Sequence, residues 1–217
     1  MKLFGMLLLS TFPVFAQSFH FGVTAGVPLN DFFRTGTIKE AGSYTYVSDT
    51  KRYTFGPTAE VRLPWRLSVQ ADLLYKRLDF DEASSLPGAS TTSSTTANSW
   101  EVPVTGKYRF SRPRVAAPYV RAGASFRKIT GVQQNSLVHM VTYPPSTSTT
   151  STHVPAELRK TFTTGLVLGG GVDLKVLFLH LTPEFRYTRW QAALFEDSNG
   201  LLSSQKNQTE FLVGFIW

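Results

Sequence analysis

From Phe19 onward, apolar and polar residues alternate with a period of two. Phe19, Phe21, Val23, Ala25 and Val27 share one parity, and His20, Gly22, Thr24 and Gly26 the other. Leu179, Leu181, Pro183, Phe185 and Tyr187 stand against His180, Thr182, Glu184, Arg186 and Thr188 without an exception. Period two sends alternate side chains to opposite faces of a strand, whereas the turn of a helix would scatter both sets around its axis. The same pattern recurs around Phe55, Val69, Val104, Ala122, Leu168 and Val213, which predicts eight strands in all.

Alternation alone does not say which face is inside. The polar face carries Glu60, Arg62, Asp72, Lys76, Glu101, Lys107, Arg109, Arg121, Arg127, Asp173, Lys175, Glu184, Arg186 and Glu210. Acids and bases interleaved with glycine suit the crowded interior of a small barrel, where opposite charges pair. The apolar face has Leu, Val and Ala in its middle. Trp65, Tyr108, Phe110, Phe178 and Trp217 mark one end, and Tyr53, Tyr75, Trp100, Phe126, Phe162, Tyr187 and Trp190 the other. Aromatic bands at both ends of an apolar wall are expected where a barrel meets lipid.

Connection lengths provide a second test. The gaps at 28–50, 79–99, 128–160 and 190–206 are long, and those at 64–66, 111–117 and 176–177 are short, in strict alternation. This predicts an all-β, eight-stranded, antiparallel, up-and-down transmembrane β-barrel with short periplasmic turns, long external loops and both termini on the periplasmic side. Residues 84–99 contain ten Ser or Thr in sixteen, and a second tract runs from Ser146 to Thr152. With little apolar surface to bury, both are expected to be mobile loops.

Composition narrows the field. Cysteine is absent, which removes disulfides, thiolate metal sites and cysteine nucleophiles. Residues 1–16 read as an export signal: Lys2, an apolar stretch at 3–9, and Val14-Phe15-Ala16 as the cleavage site. The expected division is a signal peptide at 1–16 and one barrel domain at 17–217. No run of apolar residues reaches the 18 to 20 or so of a membrane helix. Of the net charge of +7, only Lys2 falls in the leader. Export removes nucleic acid as a partner.

These features together resemble the small eight-stranded outer-membrane barrels of Gram-negative bacteria, such as the transmembrane domain of outer membrane protein A and the porin-like barrel proteins. The resemblance covers about 19–217. It implies an outer-membrane location and the barrel-assembly machinery as a partner during biogenesis. It also implies that Phe211, Val213, Phe215 and Trp217 form the terminal signal that this machinery reads, with Trp in place of the more usual final Phe. A periplasmic wall-binding domain, carried by some relatives, is not expected here, and a monomer is expected.

Catalytic chemistry finds little support. Lipid A deacylases of this general kind carry His-x-Ser, which does not occur here. The nearest arrangement is His180-x-Thr182-x-Glu184, in which threonine needs the histidine as its base. A satisfied interior hydrogen-bond network is the plainer reading of that trio. His139 and His153 fall in loops without partners spaced for metal, and no cofactor is expected. Gly169-Gly170-Gly171 lacks the Lys-Ser/Thr of a phosphate loop, so glycine there relieves crowding within a strand. Basic residues recur at the external strand ends: Lys51, Arg52, Arg77, Arg127, Lys128, Arg159, Lys160 and Arg189. They suggest a ring at the depth of lipopolysaccharide phosphates. The expected protein is a non-enzymatic barrel with a structural or surface-interaction role. The alternatives are a barrel hydrolase acting on outer-membrane lipid and a soluble lipocalin-like carrier with its apolar face turned inward.

Overall fold

A computed structural model describes residues 18–40, 42–111, 115–141, 145–177 and 179–217. The expected leader at 1–16 and the aromatic end residue Phe178 lie outside the described residues.

In chain order the strands are β1 (Ser18–Pro28), β2 (Phe33–Thr35), β3 (Thr37–Glu40), β4 (Gly42–Ser48), β5 (Thr54–Arg62), β6 (Leu67–Asp72), β7 (Leu74–Leu86), β8 (Ala89–Arg109), β9 (Ala116–Met140), β10 (Ser146–Thr152), β11 (Phe162–Val176), β12 (Leu179–Trp190), β13 (Leu202–Ser204) and β14 (Asn207–Ile216). Nine of these form a closed antiparallel ring in the order β1, β5, β6 with β7, β8, β9, β11, β12 and β14. Val23 opposite Phe215 closes it between β14 and β1. Because β6 and β7 are one stave interrupted at Leu73, the ring has eight staves. Closure leaves no free edge within the wall, as a bilayer demands.

The apolar face is outside. Phe21, Phe55, Val69, Val104, Val120, Leu168 and Phe185 are exposed, while Glu60, Asp72, Lys107, Arg121, Glu184 and Arg186 are buried. This reverses the arrangement of a soluble carrier, whose apolar side chains would fill the interior. At the periplasmic end, β5 turns into β6 through Trp65 (φ 61°) and Arg66 (φ 67°). Both lie in the left-handed region of the two-residue hairpins whose twist matches that of the strands.

Above the membrane the structure departs from expectation. The segments read as loops at 79–99 and 128–160 are largely strand. β7 and β8 continue beyond the barrel into a tight hairpin (Leu86 opposite Ala89), and β9 and β10 pair through the second Ser/Thr tract (Ser146 opposite Met140). The result is a projecting sheet in the order β10-β9-β8-β7-β4-β3. Ser and Thr give the chain too little apolar surface to order itself, but Thr suits a pleated surface once neighbouring strands supply the hydrogen-bonding partners. A register shift at Thr96 to Asn98, opposite Gly131 (φ 58°), separates barrel from sheet. A bulge at that level bends the strands where they leave the bilayer.

One side of this sheet carries an apolar roof. Phe32, Phe33, Phe80, Phe195, Leu78, Leu194 and Leu202 pack into one buried cluster. Ring centroids are 5.0 Å apart for Phe33 and Phe80 and 5.8 Å for Phe80 and Phe195. Ser204 Oγ accepts the backbone N–H groups of Leu194 and Phe195 at 2.7 and 3.2 Å, which fixes the last external loop.

Candidate functional site

Three layers of charge fill the barrel. In the lowest, Arg109 Nε donates to Asp173 Oδ2 at 2.8 Å and its guanidinium also pairs with Glu60, which Lys107 approaches at 3.5 Å. Arg62 joins Glu60 at 3.4 Å and is the one partly exposed member. In the middle layer, Glu184 receives Arg121 Nη1 and Arg186 Nε at 2.8 Å each and Tyr119 Oη at 2.9 Å. Asp72 receives Arg186 Nη2 at 2.9 Å. In the upper layer, Lys76 lies between Glu210 at 3.0 Å and Glu101 at 3.7 Å. The expected interior network is therefore assembled, with one correction: Lys175 is exposed at the periplasmic end. Glycine supplies the room as read, since a Cβ on Gly169 would meet Arg121 Cγ at 3.1 Å and Glu184 Oε1 at 3.2 Å.

The structure corrects two assignments at the external rim. Arg127 does not face lipid: it is buried, donates to Glu101 Oε1 at 2.7 Å and lies 3.8 Å over the Trp190 ring. Trp190, read as an outward aromatic, points inward and donates from Nε1 to Gln208 Oε1 at 3.0 Å. The Arg127 guanidinium also lies 4.9 Å over the Phe32 ring, so the cation joins the charge layers to the roof. The parity of β9 explains the difference, because Arg127 follows Arg121 and Ser125 on the buried face while Lys128 follows Phe126 outward. The remaining rim residues, Lys51, Arg52, Arg77, Lys128, Arg159, Lys160 and Arg189, are all exposed. Tyr53, Trp100, Phe126, Phe162 and Tyr187 are outward at the same end. The Phe126 and Phe162 rings stack at 6.5 Å.

Phe211, Val213, Phe215 and Trp217 lie on the outward side of the last stave, Phe215 and Trp217 being exposed. The His180, Thr182 and Glu184 trio forms no relay. His180 Nδ1 pairs with Asp173 at 2.7 Å, Thr182 Oγ1 donates to Gly214 O at 3.3 Å, and Glu184 belongs to the arginines. His139 lies on β9 and its Nδ1 pairs with Thr147 Oγ1 across to β10, so it is not a loop residue.

One polar feature had no signal in the sequence. Above the girdle, Glu82 on β7 faces Tyr46 on β4 and Ser93 on β8, with Glu157 and Asp197 from the covering loops beside it. Tyr46 Oη donates to Glu157 Oε1 at 3.4 Å and Gln134 Nε2 donates to Oε2 at 3.5 Å. Burial, reinforced by Glu157 and Asp197, raises the Glu82 carboxyl above its ordinary value, with the Tyr46 hydroxyl opposing. A raised folded-state value favours the neutral acid. Its contribution to docking of the loops is complete below the ordinary glutamate range and is lost as pH rises through the raised value. Limited proteolysis at 155–160 and 194–202 should therefore slow as pH falls from neutral into the carboxylate range. Glu82→Gln should flatten that dependence; an unchanged slope in the variant would assign it to other groups.

The family model described as the outer membrane protein beta-barrel domain matches residues 15–189. A crystal structure of Neisserial surface protein A (NspA) superposes with a TM-score of 0.44 at 15% identity, covering 91% of this chain and 94% of that one. The structure of Ail, the attachment invasion locus protein of Yersinia pestis, in complex with the heparin analogue sucrose octasulfate, gives a TM-score of 0.40 at 10% identity, covering 92% and 99%. No curated protein matches the sequence. With a closed wall that is apolar outside and charged within, and a family match over most of its length, the chain belongs to the outer membrane protein beta-barrel domain family and resides in the bacterial outer membrane.

Proposed function

We propose that the protein is a non-enzymatic outer-membrane barrel with a structural and surface-interaction role, and that its external rim binds lipopolysaccharide. The observation carrying this reading is the row of exposed bases, Lys51, Arg52, Arg77, Lys128, Arg159, Lys160 and Arg189, beside outward aromatics at one end of the wall. Lysine and arginine pair with phosphate, arginine in a bidentate fork. Aromatic side chains fix the depth of that end at the headgroup level. A non-enzymatic reading fits an interior whose carboxylates already hold arginine or lysine and whose roof is apolar.

Purified protein in vesicles should melt at a higher temperature when lipopolysaccharide is added. Neutralising Arg52, Lys128, Arg159 and Lys160 together to Gln should reduce that gain, and neutralising Arg66 and Lys175 at the periplasmic end should leave it intact. Equal behaviour of the two sets would reduce the rim to solvated charge. Independently, we infer that Phe211, Val213, Phe215 and Trp217 are the residues that the barrel-assembly machinery reads during insertion.

A further inference from the structure

The rim bases are not electrically equivalent. On the flank formed by β5 and β7, each base has a carboxylate of its own: Lys51 with Asp49 at 3.3 Å, Arg52 with Asp31 at 2.9 Å and Arg77 with Asp79 at 3.4 Å. On the flank formed by β9, β11, β12 and β14, exposed Lys128, Arg159, Lys160, Arg189 and Lys206 make no ion pair with a carboxylate among the described residues. Arg159 Nε donates to the Glu196 backbone carbonyl at 3.0 Å, a contact that orients the guanidinium and leaves its charge uncompensated. Of these rim bases, those without a carboxylate partner among the described residues all lie on the β9–β14 flank.

The same side has an apolar surface fitted to the bases. Phe162 is directly opposite Lys128 across the β9–β11 ladder and stacks on Phe126. Val154, Leu158 and Phe162 line a shallow groove whose remaining wall is Arg159, Lys160 and Thr161. Along β12, Arg189 is opposite Leu166 of β11 and Asn207 of β14, so cation and apolar side chain again adjoin at the outer surface. Bases level with apolar side chains, with Phe126 and Leu168 following on the same strands toward the periplasmic end, match an amphiphile that carries phosphate at its head and acyl chains beneath.

We propose that the anionic glycolipid is held on this one flank, with its phosphates on Lys128, Arg159, Lys160 and Arg189 and its acyl chains against Phe126, Phe162 and the adjoining groove, while the β5–β7 flank takes no part. The inference rests on the rim being a lipopolysaccharide surface and says where on the rim the contact is made. An unpaired exposed base can exchange water for phosphate, whereas Arg52 or Arg77 must first give up an existing carboxylate.

The test compares three proteins in phosphatidylcholine vesicles, alone, with bisphosphorylated lipopolysaccharide and with the same lipid dephosphorylated. The proteins are the native chain, Lys128→Gln/Arg159→Gln/Lys160→Gln/Arg189→Gln, and Lys51→Gln/Arg52→Gln/Arg77→Gln. Heat-modifiable gel migration establishes that each is folded, and the pair Lys128→Gln/Lys160→Gln serves where the fourfold change prevents folding. The native chain and the β5–β7 variant are expected to gain thermal stability from the phosphorylated lipid only, and the β9–β12 variant to lose most of that gain. Equal loss in both variants would show a symmetric ring, and a greater loss in the β5–β7 variant would place the contact on the opposite side; either overturns the proposal. No gain in the native chain itself would remove the lipopolysaccharide reading beneath it.

Discussion

Glu184→Ala lowers the stability of the barrel by about 3–5 kcal/mol, the cost of leaving buried cations without their counter-charge. The carboxylate lies in the middle layer, where Arg121, Arg186 and Tyr119 all donate to it. Arg186 keeps Asp72 at 2.9 Å and Arg121 reaches the same oxygen only at 3.5 Å, while the other oxygen receives Gln70 Nε2 at 2.7 Å and Thr58, so one carboxylate is left to balance two buried guanidinium groups. Glu184→Gln keeps an acceptor oxygen and the side-chain volume, and should cost less than the alanine change. The measurement is denaturant unfolding of the folded barrel, read by gel migration and tryptophan fluorescence. Arg52→Ala, at the exposed rim, provides the contrast and should stay within about 0.5 kcal/mol of the native chain, as exposed ion pairs do. Similar losses for Glu184→Ala and Arg52→Ala would mean that the interior is hydrated enough to screen its charges.

The second large effect is local. Phe195 is fully buried in the roof against Phe33 and Phe80, and truncating such a side chain costs about 3–5 kcal/mol through lost burial and the cavity left behind. Phe195→Ala should loosen the loop at 191–206 and the segment at 155–160, which Leu158 and Arg159 tie to it through Phe195 and Leu194. Proteolysis of those loops should accelerate while heat-modifiable migration of the barrel is unchanged, because the wall is closed by backbone ladders that truncating the Phe195 side chain leaves in place. Planar bilayers should show at most small, rare currents for both proteins. The roof is only the outermost closure, and the three charge layers fill the interior of eight staves beneath it. Steady porin-like currents from Phe195→Ala would make the roof the gate of a conducting barrel. Simultaneous loss of the barrel and the roof would make them one cooperative unit.

Much of the wall is legible in the sequence because period two is a local property. Each strand declares its two faces by itself, and the size and charge of the polar set decide which face is inside. Gly169 beside Arg121 and Glu184 illustrates the same local logic, a small residue where large side chains converge. What was not legible depends on partners far away in the chain. The Ser/Thr tracts read as mobile because their composition offers no core, yet β8 and β10 are ordered by the ladders that β9 extends to both. The acid group of Glu82, Glu157 and Asp197 comes from three separate segments and leaves no trace in spacing.

Two neighbouring residues mark the boundary between what the chain determines and what the fold decides. Arg127 and Lys128 are both cations at the end of one predicted strand of a membrane barrel with alternating turns and loops, and their sequence position placed both in the external ring, although neighbours on a strand point to opposite faces. That β9 continues past both, that Trp190 turns inward to cover Arg127, and that Lys128 is left among lipid-facing aromatics depends on packing with distant segments. The reason is physical: alternation is set by the backbone of one strand, whereas strand length and charge compensation are set by the strands and loops packed beside it. The same holds around the rim, where eight similar bases in the sequence become one buried latch, three neutralised cations and one uncompensated flank once Asp31, Asp49 and Asp79 are brought into place.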